Sequence, residues 1–82
     1  MAADEAAQRF DATVREMGAF QDLKKIFSST DGMHAQNEVR KLQWLPRGPD
    51  YVEHYALLRA VGSSHAEAMA GTILHFNIIW GH

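Results

Sequence analysis

The chain has no cysteine among its 82 residues. Disulfides, thiolate zinc sites, CxxC redox chemistry and cysteine nucleophiles are therefore excluded. Proline occurs twice, at Pro46 and Pro49, which gives one stiff connector and no proline-rich linker. Long apolar runs are also missing. The nearly uncharged stretch 68–80 covers 13 residues and is interrupted by His75 and Asn77, short of the roughly 20 that cross a bilayer, so no membrane span is expected. The N-terminal Met1-Ala2-Ala3-Asp4-Glu5 carries acid where a secretory signal carries base, and a cytoplasmic location is the expectation.

Cations are absent after Arg59, where the one formal charge is Glu67. Residues 1–41 hold six Lys or Arg and seven Asp or Glu, whereas 42–82 hold two and three. Both halves come out at -1, so there is no basic or acidic tail. The asymmetry is one of density: the C-terminal third is built to be covered. With about 100 to 200 residues typical of a domain, residues 1–82 are expected to form a single helical domain with a thin core.

Helical periodicity runs through the chain. Asp4 is placed to cap a helix over about 4–17, with Glu5–Arg9 and Asp11–Arg15 as acid-before-base pairs four apart. Beyond Gly18 the apolar stripe resumes out of phase as Phe20, Leu23 and Phe27, which predicts a break and a second helix over about 19–28. The turn formers Ser28 to Gly32 precede a helix over about 33–45 that buries Ala35, Val39, Leu42 and Leu45 and turns Met33 and Trp44 to the opposite side. Pro46-Arg47-Gly48-Pro49 reads as a connector. Asp50 reads as the N-cap of a helix over about 51–61, which carries Tyr51, Tyr55, Leu58 and Val61 and stops at Gly62.

Ser64-His65-Ala66-Glu67 is a full capping box and opens a helix over about 65–79. The fold class is thus all-α, a compact bundle of four to five short helices. Segment 72–80 is the ambiguous part, because Leu74, Phe76, Ile78 and Trp80 also alternate as a strand paired across a dimer would.

Motifs for catalysis are lacking. There is no GxSxG elbow, P-loop or glycine-rich dinucleotide loop, so neither catalytic residues nor a cofactor are expected. None of His34, His54, His65, His75 and His82 pairs with another at the three- or four-residue spacing of helical metal ligands. The histidines are read as surface or boundary residues, with no metal site.

Two surfaces remain. Six of the eight residues 73–80 are large and apolar, and a bundle of this size is not expected to enclose such a helix completely. Leu74, Ile78, Ile79 and Trp80 are therefore the expected interface to another protein, including a second copy. The alternative is a helix-turn-helix nucleic-acid binder over 51–80, with Arg59, Ser63, Ser64 and His65 nearest the duplex. That alternative is short of the cations that phosphate binding requires. The leading function is a small non-enzymatic protein-binding module: an adaptor, inhibitor or assembly factor.

Overall fold

The computed structural model describes residues 16–80 together with Glu5, Arg9 and Thr13. The expected helix over 4–17 lies outside the described residues apart from these positions. Four helices follow: α1 (Gly18–Lys24), α2 (Met33–Gln43), α3 (Gly48–Ala60) and α4 (His65–Phe76). The chain is all-α, with no strand among the described residues. Its radius of gyration of 11.6 Å matches the roughly 11.7 Å of a compact chain this long.

The break expected at Gly18 falls at Met17, which is extended (φ -83°, ψ 137°) and leaves Gly18 as the first helical residue. α1 ends earlier than its apolar stripe because the chain tightens after Lys24. Ile26 N–H bonds the Leu23 carbonyl at 3.1 Å and Phe27 N–H bonds that of Lys24 at 3.4 Å. Phe27 still reaches the core through this turn. α2 stops two residues short of the expected Leu45, since the residue before a proline is pushed out of the helical region.

α3 corrects the sequence reading most. It begins at Gly48, not 51, and Asp50 makes no cap bond. Proline in a first turn removes an N–H that has no helical partner anyway, so Pro49 belongs to the helix. Asp50 instead accepts from Arg47 Nε at 3.3 Å and Nη2 at 3.2 Å. Gly48 lies against the end of α2, where a Cβ would overlap the Gln43 backbone. Gly62 ends α3 as expected, at φ 104°, and Ser63 N–H closes the six-residue turn onto the Leu58 carbonyl at 3.0 Å.

The Ser64 box also forms as expected. Glu67 N–H donates to Ser64 Oγ at 3.2 Å, and Glu67 Oε1 accepts from Ser64 N–H at 2.9 Å. α4 is the central helix. From His65 to Ile73 every residue except Glu67 is buried, so this chain does enclose its apolar helix over two turns. Ala66, Met69 and Ile73 meet Phe27 and Leu42 in the main core, Ala68 packs on Leu58 of α3, and Ala70 packs on Phe20 of α1. Small side chains at 66, 68 and 70 let neighbouring helices approach on three sides, and each large one buried contributes about 1.5 to 3 kcal/mol.

The strand alternative for 72–80 does not form. α4 runs to Phe76 and ends at Asn77, which is left-handed (φ 58°, ψ 43°). Ile78 N–H then bonds the Ile73 carbonyl at 3.0 Å, and the chain turns back. The helix is three residues shorter than the expected 65–79, because Asn77 takes the left-handed terminating position, which asparagine tolerates better than other residues with a side chain.

Candidate functional site

The reversal at Asn77 divides the expected C-terminal interface. Leu74 is half-buried beside Phe20 and Ala70. Ile78 and Trp80 are half-buried against the main core, with the Trp80 ring meeting the Phe27 edge at 5.4 Å. Ile79 alone of the four points outward, at 78% exposure. Periodicity carried through 79 had put Leu74 and Ile78 on one continuous flank, whereas the turn sends Ile78 inward.

The four residues of the helix-turn-helix alternative are engaged within the chain. Arg59 Nη2 bridges both Asp31 oxygens at 3.1 and 3.0 Å, and its Nη1 donates to the Ser63 carbonyl at 3.2 Å. Ser63 is buried, Ser64 caps α4, and His65 is 2% exposed.

His65 therefore departs from the expected surface or boundary placement, and the reason is a polar chain through the core. Tyr55 Oη lies 3.0 Å from His65 Nδ1, and His65 Nε2 lies 2.9 Å from Glu38 Oε1. An ionised carboxylate only accepts, so Nε2 carries a proton; in the neutral ring Nδ1 then accepts and Tyr55 donates to it. The same Glu38 oxygen accepts from Ser28 N–H at 3.1 Å. Burial alone would raise Glu38, but the bonds from His65 and from the Ser28 amide and hydroxyl outweigh it and hold the carboxyl below its ordinary value. Burial, which outweighs the pull of Arg59, moves the Tyr55 phenol up. Geometrically this is a hydroxyl–imidazole–carboxylate relay. Its phenol proton is directed inward and its hydroxyl is made less acidic, so the arrangement ties α2, α3 and α4 together rather than arming a nucleophile.

A second histidine pair joins α3 to α4. The rings of His54 and His75 stack at 4.3 Å and 10°, and Phe76 presents its ring edge-on to both. Burial, then the neighbouring His75, lowers His54 to about 4. Neither this pair nor the relay was legible in sequence, where the partners stand 10, 21 and 27 positions apart. One weak signal existed for Glu38, an acid at the flank of the apolar face of α2. Among the described residues no group of three or more His, Asp or Glu side chains is placed to hold a metal ion.

The exposed apolar surface lies elsewhere. Met33 and Trp44 are 76% and 82% exposed, at opposite ends of the outer face of α2, with Asn37 and Arg40 between them at helical spacing. Tyr51 and Tyr55 are half-buried against the main core. Open depressions flank the ridge. One, of about 410 Å³, has Gln36, Arg40 and Gln43 on its α2 wall and Tyr55 opposite; the other has His34, Asn37 and Lys41 facing Ile26. The two acids nearest the ridge, Asp31 and Glu38, are paired with Arg59 and His65. Among the described residues, Arg40 and Lys41 are the exposed charges that α2 itself carries.

Comparison with family models, with curated proteins and with solved structures finds no match to this chain.

Proposed function

We propose that this chain is a non-enzymatic protein-binding module whose α2 ridge receives an acidic, apolar-faced segment of another protein. The observation that carries the reading is Trp44, 82% exposed on a helix whose opposite face supplies Ala35 and Leu42 to the core. Most of its surface is left open by folding, and tryptophan is among the side chains enriched at the energetic centre of protein contacts. Met33 extends the apolar line. Arg40 and Lys41 give it positive charge although the whole chain is net -2, and this complementarity is what points to an acidic partner. Ile79, beyond the reversal, is the C-terminal side chain available to a second copy.

Selection of random peptides of about 16 residues against the immobilised chain tests the reading. The expected result is enrichment of sequences that combine Asp or Glu with Leu, Phe or Trp, whose binding weakens about tenfold or more when Arg40→Glu and Lys41→Glu are combined, a cost of about 1.4 kcal/mol. No enrichment, or peptides indifferent to the charge reversal, contradicts it. So does DNA binding tighter than any selected peptide, with the steep salt dependence of phosphate contacts.

A further inference from the structure

The His54–His75 stack stands at the point where the chain leaves α4. His75 lies in the last turn, Phe76 is the last helical residue, and Asn77 reverses the chain so that Ile78 and Trp80 return to the core. His54 reaches this turn from α3. Its Nε2 is closed off from solvent, whereas His75 is exposed. The rings lie flat on each other at 4.3 Å, a contact that disfavours a charge on the buried His54 ring.

We propose that protonation of His54, stacked on His75, unclasps the last turn of α4 from α3 and releases Ile78 and Trp80 from the core, making the C-terminal apolar segment available in mild acid. The inference is independent of the α2 ridge.

The described surroundings of His54 favour its neutral form in the closed state. Among the described residues, the charged groups lining the depression beside His54 are Asp50 and Glu53 from α3 and Arg47 at its N-cap. Arg47 is bonded to Asp50 and holds its guanidinium 5.7 Å over the Phe76 ring, so these two neutralise each other. Glu53 is exposed and screened by water. From α4 the facing groups are His75 and Phe76. α1 meets α4 through Phe20 and Leu23 and brings no charge to this depression.

The direction of the effect follows from linkage. In the closed state His54 stays neutral until about 4, whereas an opened imidazole protonates near its ordinary 6.5. Between those values the open state binds more protons, so acid favours opening, by up to about tenfold in population for each pH unit. Below about 4 the effect saturates. His65 and Glu38 belong to the relay at the N-terminal end of α4, and Phe27 touches both the His65 ring at 6.4 Å and the Trp80 ring at 5.4 Å, so the variants at His54 and His75 separate the clasp from the relay.

Trp44→Phe leaves Trp80 as the sole tryptophan, and its emission reports the release. Titrated from pH 7.5 to 4, Trp80 emission should shift to the red with a midpoint between about 4 and 6.5, while far-UV circular dichroism keeps its helical signal. His54→Phe preserves a stacked ring without the titration and should abolish the shift. His75→Gln, at an exposed position, removes the neighbour that helps hold His54 down and should lower the midpoint, and it serves if His54→Phe does not fold. An emission that stays constant to pH 4 overturns the proposal. So does a midpoint unchanged in either variant, or loss of helical signal in step with the emission shift.

Discussion

His65 Nε2 and Glu38 Oε1 meet at 2.9 Å inside the protein, and the same oxygen holds the Ser28 amide at 3.1 Å. One carboxylate thus satisfies both a buried imidazole and the backbone that enters α2. Glu38→Ala should cost about 2 kcal/mol or more, because it strands a buried donor. Tyr55→Phe leaves His65 Nδ1 without its donor and should cost about 1 kcal/mol or more, less than Glu38→Ala, which removes the bonds to both His65 and Ser28. Urea denaturation at neutral pH reads both, and equal costs would contradict the assigned roles.

Glu38 also sets an acid limit. Its folded value lies below its ordinary 4.5, so its contribution is fully present above that value and is lost as pH falls through the lower folded one. Glu38→Gln should be less stable than the parent at pH 7, and the gap should narrow as pH drops below about 4.5. Thermal melting between pH 7 and 3 shows it, and a gap of constant size would remove Glu38 from the account.

Two glycines should respond in opposite senses. Gly48→Ala drives a Cβ into the Gln43 backbone, where nothing flexible can yield, and should cost about 3 kcal/mol or more. Gly18 begins α1 with open space at its Cβ position. Gly18→Ala should stabilise by about 0.4 to 1 kcal/mol through the unfolded chain. A matched pair of denaturation midpoints decides both signs.

Ser64→Ala removes the acceptor for Glu67 N–H and half of the capping box. A loss of about 1 kcal/mol is expected. Hydrogen exchange should localise it to the first turn of α4, and protection that falls evenly over the chain would point to a wider role for Ser64.

Features that depend on neighbours in sequence could be read before the fold was seen. The sidedness of α2, with Ala35 and Leu42 in and Met33 and Trp44 out, follows from period alone. The Ser64–Glu67 box and the Gly62 stop follow from local backbone chemistry. Boundaries set by steric detail could not be read. The start of α3 depends on Gly48 nestling against Gln43, and the end of α4 depends on Asn77 taking a left-handed turn. That one turn redirected Ile78 and Trp80 from an expected interface into the core. Polar pairings such as Tyr55–His65–Glu38 and His54–His75 join different helices, and period does not say which flanks will meet.

The central claim is that Trp44 is held for a partner and not for the fold. The direct measurement is the calorimetric affinity of a selected acidic, apolar-faced peptide for the parent chain and for Trp44→Ala, with thermal stability recorded on the same samples. The account predicts affinity weakened about tenfold or more with stability changed by no more than about 0.5 kcal/mol. Unchanged affinity, or weakening that merely follows a loss of stability, would contradict it.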